Sequence, residues 1–334
     1  MISSKFFDLY EKSFREFGTS ASWCWQQGCR LQWFIKAAKF AVLHNGFENG
    51  EYFSQVIDIF SRKILAKFNK PLYAISPDGK WGLSIDFSRL QRLRPGYGYS
   101  NLRDKTADRD SLHENGIWIV DLSSGKSELI LSIADVADMK NQSFRLTGEQ
   151  YFNHLLFHPD GKTFIFFHIY QSKHNRYIRF FKSDIGLSDI SLLVDVDYKI
   201  SHFNWFSDEE LIVYLGAGPD GEGYYLLHIN DQIVTKIQEM PHELDGHPTV
   251  STTKDYVITD TIVNKYSNRE LYYYDITKQN LLQLGEFFSP TKYSLETRCD
   301  LHPRLDCKNN RVCIDSAHTG KRSMYVLDLD SINN

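Results

Sequence analysis

HPDGKTFIFFH, at residues 158–168, is a tight Asp-Gly turn followed by a strand of aromatic and β-branched residues. Four other stretches repeat this pattern: SPDGKWGLSID (76–86), FSDEELIVYLG (206–216), STTKDYVITD (251–260) and DCKNNRVCID (306–315). The last four copies start at 158, 206, 251 and 306, so they are 48, 45 and 55 residues apart. This spacing is typical of β-propellers, in which a blade of four antiparallel strands takes roughly 40–50 residues.

A sixth and weaker copy, RLQWFIKAAKFAVLHN at residues 30–45, completes the count. We therefore predict an all-β chain, residues 1–334, that folds as a single closed β-propeller domain with six blades. The blades are expected to start near residues 30, 72, 154, 202, 247 and 302. Seven blades and a pair of β-sandwiches are the alternatives. The insertion at 88–115 is predicted to be a loop at one mouth of the central channel.

Two stretches have helical spacing rather than strand spacing. The aromatic residues of the first 20 positions fall on one face of a helix: Phe6, Phe7, Tyr10, Phe14 and Phe17. Residues 1–20 are therefore predicted to form a short N-terminal helix, or alternatively a segment that closes the ring of blades. A second, weaker helix is predicted over 127–141.

Composition excludes several classes of protein. The chain of 334 residues has 42% hydrophobic and 24% charged residues, which is a globular balance. With a net charge of −4 it has no broad basic surface for nucleic acid, and no apolar run is long enough to span a membrane. It starts without a secretory signal, and its five cysteines are too few for a disulfide framework. These features favour a cytoplasmic protein.

Four of the repeat copies carry a histidine four residues before the turn. These are His154, His202, His247 and His302. Equivalent positions in a propeller lie on a circle around its axis, so the four imidazoles are predicted to converge on one mouth of the channel. The alternative is that each histidine forms a structural hydrogen bond within its own blade.

The strand after each turn is predicted to return to the same rim. Its last residues are Asp86, His168, Asp260 and Asp315. Histidines and carboxylates gathered on one rim predict a metal site or an acid/base site. Cys299 precedes His302 by three residues, and thiolate together with imidazole is a typical zinc ligand set.

The insertion combines arginines with tyrosines. Three arginines lie within six residues and two tyrosines follow: Arg89, Arg92, Arg94, Tyr97 and Tyr99. Guanidinium groups pair with carboxylates and aromatic rings stack on sugars, so this pattern predicts binding of a carboxylated or sulfated sugar. The alternatives are a solvated loop and pairing with carboxylates of the same chain.

The repeats resemble those of the oligogalacturonate lyase family and the related TolB-like propellers. The resemblance is carried by four stretches: FNHLLFHPDGKTFIFFH (152–168), ISHFNW (200–205), DGHPTVSTTKDYVITDT (245–261) and RCDLHPRLDCKNNRVCIDSAHTGKRSMYVLDL (298–329). Oligogalacturonate lyases are cytoplasmic propellers that cleave uronic-acid oligosaccharides by β-elimination with a metal held by histidines and a glutamine. Ulvan-lyase-like propellers are more distant relatives.

The resemblance implies three kinds of role for the candidate residues, namely metal ligand, base or proton donor, and substrate contact. Metal ligands are His247, His302 and Cys299, with zinc expected first and manganese as the alternative. His154 and His202 are expected to act as base or charge neutraliser, and Tyr97 or Tyr99 to protonate the leaving oxygen. Substrate contacts are expected from Arg89, Arg92, Arg94, Asn153 and His168.

The expected partner is therefore an acidic oligosaccharide, with no nucleic acid and no membrane. Two other functions remain open. One is a non-catalytic propeller that binds an acidic glycan or a protein. The other is metal-assisted hydrolysis on the same rim.

Overall fold

The structure, a computed structural model, describes residues 1–8, 11–34, 36–107, 112–139, 148–240, 245–330 and 332. Its strands form six small antiparallel sheets, here called blades 1 to 6, and one separate hairpin. This arrangement confirms the predicted all-β fold with six propeller blades. The chain divides into two compact units, residues 1–192 (unit 1) and 193–334 (unit 2). That residues 1–334 form a single domain stays a prediction.

The N-terminal segment is a β-hairpin, so the helix predicted for residues 1–20 is wrong. Strand β1 (Ile2–Asp8) pairs antiparallel with β2 (Ser13–Ser20). Phe7 lies opposite Phe14, with ring centroids 5.0 Å apart. Phe7 and Phe14 contact each other across the two strands. Their spacing of seven residues is also that of two residues on one face of a helix, so the pattern is compatible with both structures. Tyr10 lies outside the described residues.

Blades 1 to 3 each have four strands, which follow one another across the sheet in chain order. Blade 1 consists of β3 (Gln32–Trp33), β4 (Ala41–Glu48), β5 (Glu51–Asp58) and β6 (Ile64–Phe68). Blade 2 consists of β7 (Ala74–Ile75), β8 (Trp81–Ser84), β9 (Gly116–Asp121) and β10 (Ser127–Ser132). Blade 3 consists of β11 (Glu149–Phe157), β12 (Thr163–Gln171), β13 (Arg176–Asp184) and β14 (Ser191–Val194), and β14 contains the boundary of the units.

Two short helices are found in unit 1. Helix α1 (Phe87–Leu93) opens the insertion that was predicted as a loop, and the Asp86 carboxylate caps it by accepting from two backbone N–H groups. Helix α2 (Ile133–Ala137) follows β10, so the helix predicted over 127–141 is wrong for its first six residues. Residues 140 and 141 lie outside the described residues. Nowhere in the described chain is a helix long and apolar enough to cross a membrane.

Unit 2 holds blades 4 to 6. Blade 4 consists of β15 (Ile200–Trp205), β16 (Glu210–Gly218), β17 (Gly221–His228) and β18 (Val234–Lys236). Blade 5 consists of β19 (Thr249–Val250), β20 (Tyr256–Asp260), β21 (Asn268–Asp275) and β22 (Asn280–Phe288). Blade 6 consists of β23 (Arg304–Leu305), β24 (Arg311–Ser316) and β25 (Ser323–Asp328). Two turns of 3₁₀ helix lie at Val196–Tyr198 and Leu295–Thr297.

The repeated sequence pattern explains the blades. In the copy at 158–168 the Asp160 carboxylate accepts hydrogen bonds from the N–H groups of Lys162 and Thr163, at 2.7 and 2.8 Å, and so closes the turn. The following strand, β12, is buried on both faces from Phe164 to Tyr170, as expected for a continuous apolar run. In unit 2 the first strands of neighbouring blades contact one another, β15 with β19 and β19 with β23. This contact brings the starts of the three repeats together.

Candidate functional site

Three of the four predicted histidines lie side by side in unit 2. The ring centroids of His202 and His247 are 4.0 Å apart, and those of His247 and His302 are also 4.0 Å apart. We call these three residues the histidine row. His202 belongs to β15, His247 lies just before β19, and His302 lies just before β23. The row therefore results from the packing of the first strands of blades 4 to 6.

Asp260, the last residue of β20, holds two members of the row. One carboxylate oxygen accepts from the backbone N–H of His247 at 2.6 Å, and the other accepts from the backbone N–H of His302 at 3.0 Å. Nδ1 of His247 also donates to Asp260, at 2.9 Å from Oδ1. This bond fixes the ring so that its Nε2 is the nitrogen left for a ligand.

Asp245 holds the third member. Nδ1 of His202 lies 2.8 Å from Oδ1 of Asp245, and Ser201 donates to the second oxygen of this carboxylate. Ser201 Oγ also lies 2.8 Å from Nδ1 of His202. His202 therefore resembles His247 in having a carboxylate on Nδ1.

A possible ligand set for a cation lies in the row. Among the described residues, His247, Asp300 and His302 each offer a ligand atom, and these atoms all lie within 4.8 Å of one another. Asp300 is buried and also forms ion pairs with Arg269 at 2.7 Å and Arg298 at 2.6 Å. Two imidazoles with one carboxylate form a mixed nitrogen and oxygen set that suits a divalent metal.

Burial and the neighbouring charged groups set the protonation of the histidine row and of Asp260. Burial opposes a charge on His247, but the Asp260 carboxylate outweighs it and raises the pKa of this imidazole. Burial and the neighbouring His247 lower the pKa of His302 well below its ordinary value. Burial would raise the pKa of Asp260, yet the two histidines outweigh it and lower that pKa. His302 is therefore neutral near pH 7, which is the form that binds metal.

Cys299 is not part of this ligand set. The side chain is buried, and burial raises the pKa of its thiol to about 11. The ligand atoms that lie within 4.8 Å of one another belong to His247, Asp300 and His302, so Asp300 takes the place expected for the thiol. The preference for zinc, which rested on Cys299, has no support from this set.

His154 lies in unit 1. It shares a left-handed backbone with two equivalent repeat positions, since φ is 53° at His154, 44° at His302 and 55° at Arg30. Its ring lies 5.9 Å from the ring of Tyr97 and 5.0 Å from that of Phe167. Two of the predicted catalytic residues, His154 and Tyr97, therefore lie together. That all four histidines converge stays a prediction.

Asn153 positions the backbone of His154. The residue is buried, and its Oδ1 accepts from the backbone N–H of His154 at 2.9 Å and from the hydroxyl of Tyr73 at 2.8 Å. His168 is also completely buried, with Nε2 2.9 Å from the side-chain oxygen of Gln150. Burial lowers the pKa of His168 well below its ordinary value. Both side chains are thus bonded within the protein, and their substrate contacts stay a prediction.

Two of the predicted arginines have partners within the chain. Arg89 is buried and donates to the carbonyl of Gln150 at 2.8 Å and to the hydroxyl of Thr106 at 3.0 Å. Arg92 pairs with Asp104 at 2.8 Å and with Glu149 through both terminal nitrogens. Pairing within the chain, one of the alternatives, thus accounts for both guanidinium groups, and their substrate contacts stay a prediction.

Tyr99 and Arg94 differ in their surroundings. Tyr99 is completely buried, stacks on Phe87 at 4.4 Å and shares a hydrogen bond with Asn45 at 2.9 Å. Burial raises its pKa well above the ordinary value. Tyr99 is therefore a core residue, and its predicted role as a proton donor is not supported. Arg94 is half-buried and lies 5.1 Å over the ring of Tyr97.

A sequence pattern points to Asp245 and Asp300, the two carboxylates of the site that were not predicted. The pattern Asp-x-His occurs twice, as Asp245-Gly-His247 and as Asp300-Leu-His302. In both cases the aspartate reaches the histidine of the preceding blade: Asp245 bonds His202, and Asp300 shares a ligand set with His247. From the sequence alone the Asp245-Gly246 pair indicates only a turn, because Asp-Gly pairs are common in turns.

Gly246 allows the segment 245–247 to lie against the backbone of Asp260. Replacing Gly246 tests this close approach. A Cβ at Gly246 would stand 1.7 Å from the carbonyl oxygen of Asp260. We expect Gly246→Ala to lower the free energy of unfolding by at least ~2 kcal/mol, because a backbone atom cannot yield as a side chain does. The control is Gly216→Ala, where the nearest atom is 3.4 Å away. Equal denaturation midpoints for both variants would contradict the close approach.

The chain matches no protein-family model and no curated protein. Solved structures with the same fold are found. An oligogalacturonate lyase from Vibrio parahaemolyticus has a TM-score of 0.66 at 12% identity, over 99% of this chain and 84% of that chain. An oligogalacturonate lyase in complex with manganese has a TM-score of 0.57 at 10% identity, over 99% of this chain and 97% of that chain.

A third structure is the β-propeller domain of the trilobed protease from Pyrococcus furiosus. It has a TM-score of 0.52 at 14% identity and covers 86% of this chain and 78% of that chain. Identities this low show a common fold and not a common activity. The chain is thus a six-bladed β-propeller that is similar in fold to the oligogalacturonate lyases.

Proposed function

We propose that the histidine row binds a divalent cation and that the protein cleaves a uronic-acid-containing oligosaccharide by β-elimination. One observation carries the proposal: the ligand atoms of His247, Asp300 and His302 lie within 4.8 Å of one another. The fold likeness to oligogalacturonate lyases, one of them in complex with manganese, supports this choice of reaction and of cation class.

The residues fit such a cation. Nδ1 of His247 is held by Asp260, which is the arrangement that fixes a metal-binding imidazole, and His302 is neutral because its pKa is lowered. His247, His302 and Asp300 would hold the ion. Without a thiolate the set does not favour zinc over manganese. A bound divalent cation supplies charge neutralisation at the uronate carboxylate, which makes the neighbouring C5 proton more acidic.

His202 is the proposed base in unit 2. Asp245 accepts a hydrogen bond from its Nδ1, so the ring is oriented with Nε2 as the proton acceptor. In the elimination, Nε2 takes the C5 proton, the electrons of the C5–H bond form the C4–C5 double bond, and the bond from C4 to the leaving oxygen breaks. The leaving oxygen then takes up a proton. His154 and Tyr97 stay predicted as a base and a proton donor in unit 1.

A non-catalytic propeller that binds an acidic glycan or a protein is the second candidate. Its supporting observation is that Asp300 is already satisfied by two arginines, Arg269 and Arg298. Under this alternative the carboxylates and arginines of unit 2 stabilise the fold, and the protein binds without producing a cleaved product.

A combined metal and activity measurement tests the proposal. Purified protein, stripped with chelator and reloaded with manganese or zinc, is expected to bind about one equivalent and to form the unsaturated, ultraviolet-absorbing product from an acidic oligosaccharide. His302→Ala is expected to lose both properties. The control is His228→Ala, since His228 lies outside the row and pairs with Asp231 at 2.9 Å. Absence of metal and of product from every acidic oligosaccharide would refute the proposal, and retained binding would favour the non-catalytic alternative.

A further inference from the structure

Arg322 lies in the turn between β24 and β25, and this turn is fixed by hydrogen bonds. The backbone N–H of Arg322 donates to the hydroxyl of Tyr293 at 3.3 Å. Lys292 donates to the carbonyl of Gly320, in the same turn, at 2.6 Å, and the Tyr293 hydroxyl lies 3.5 Å from that carbonyl. The turn therefore presents Arg322 at a defined position in blade 6.

The guanidinium group of Arg322 has only long polar contacts in the described part of the chain. Nη2 lies 4.0 Å from Asp315, and Nη1 lies 3.5 Å from the carbonyl of Arg298. Asp315 has closer contacts with Arg304, at 3.2 and 3.3 Å. Because the side chain of Arg322 is only 20% exposed, it has lost much of its hydration without gaining a close partner. A bound anion would supply that partner.

Arg322 contacts the chain segment that carries two of the candidate metal ligands. Its contact with the carbonyl of Arg298 places it beside the segment that continues to Asp300 and His302. Asp315, its nearest carboxylate, donates its backbone N–H to the carbonyl of Leu301 at 2.8 Å, and Leu301 precedes His302. The guanidinium group and the histidine row therefore belong to one region of unit 2.

We propose that Arg322 binds the carboxylate of the acidic sugar and thereby determines selectivity for uronic acids over neutral sugars. A guanidinium group offers two parallel N–H donors that match the two oxygens of a carboxylate. This inference rests on the proposed function, and it assigns to blade 6 the acid recognition that the sequence pattern assigned to Arg89 and Arg92. Those two arginines are engaged by other partners, as described above.

Binding of a matched pair of ligands tests the role of Arg322. The probes are a galacturonic-acid trisaccharide and its neutral methyl ester, titrated into the metal-loaded protein. We expect the wild type to prefer the acid, and Arg322→Gln to lose roughly tenfold to a hundredfold in affinity for the acid with little change for the ester. Arg322→Lys keeps the charge but not the two parallel donors, so it is expected to lie in between.

Arg304→Gln is the matched control, because Arg304 contacts the same carboxylate, Asp315, but has a close partner. It is expected to retain the preference for the acid. A wild-type preference that survives in Arg322→Gln and Arg322→Lys would overturn this inference alone. A wild type that binds neither probe would overturn the proposed substrate class and this inference together. Thermal unfolding of each variant shows whether it is folded, and Arg322→Lys decides the question if Arg322→Gln does not fold.

Discussion

His202→Asn is expected to reduce product formation by about 10²–10⁴-fold, because it removes the proposed base. Asparagine places an amide N–H near the position of Nδ1, so the hydrogen bond with Asp245 is retained while the acceptor nitrogen Nε2 is lost. The free energy of unfolding and the metal content are expected to change little. The measurement is the initial rate of ultraviolet absorbance with an acidic oligosaccharide.

His202→Ala provides the comparison. It also removes the base, but it leaves the Asp245 carboxylate with fewer partners in a largely buried position, so we expect an additional loss of stability of ~1–3 kcal/mol. Full activity in His202→Asn would exclude His202 as the base and would direct attention to His154. Equal stability of the two variants would show that the bond between His202 and Asp245 is energetically unimportant.

Of these substitutions, Asp260→Asn is expected to have the largest effect on the histidine row, in both metal affinity and stability. The carboxylate accepts three hydrogen bonds, from both backbone N–H groups and from Nδ1 of His247. An amide has a single acceptor oxygen, and its NH₂ group would face another donor. We expect metal affinity to fall about 10–100-fold, as for other partners of metal-binding histidines, and unfolding free energy to fall by ~3–5 kcal/mol.

The pH dependence separates this effect from a general loss of packing. The pKa of Asp260 is lowered in the folded protein, so its stabilisation is fully present above the unfolded pKa of about 3.9 and is lost as pH falls through the folded value. The difference in unfolding free energy between wild type and Asp260→Asn should therefore shrink below about pH 4. Asp255→Asn, just before the same strand, is the control for metal affinity, which it is expected to leave unchanged, since Asp255 accepts from the hydroxyls of Ser251 and Thr253; the pKa of Asp255 is also lowered, so its difference from wild type should shrink at low pH as well. A difference that stays constant down to pH 2 would contradict the electrostatic explanation.

Predictions from the sequence succeeded where the signal was local. The turn at Asp160 and the strand after it lie within twelve residues, 160–171, and hydrogen bonds between close sequence neighbours form the turn. Predictions from the same sequence failed at the N-terminus, because Phe7 and Phe14 are neighbours in a hairpin as well as on a helix face. Spacing alone does not distinguish these two arrangements for a short aromatic segment.

The cluster of arginines failed as a signal for another reason. Arg89 and Arg92 suggested an anion site because they belong to three arginines within six residues, which repel one another unless carboxylates or a bound anion balance them. In the folded chain Glu149, which lies 57 residues away, reaches Arg92, and the carbonyl of Gln150 reaches Arg89. A long-range partner of this kind leaves no local trace in a single sequence.

The repeat and the shared position of four histidines within it can be read from the sequence, and the same pattern favours six blades over seven, because turns and strands recur at intervals of 45 to 55 residues. Which carboxylates bond to those histidines depends on the folded chain. Asp260 ends one strand and holds residues at the start of its own blade and of the next one, and Asp245 reaches the histidine of the preceding blade. These contacts depend on how neighbouring first strands pack, and packing between blades is not encoded in the spacing within any one of them.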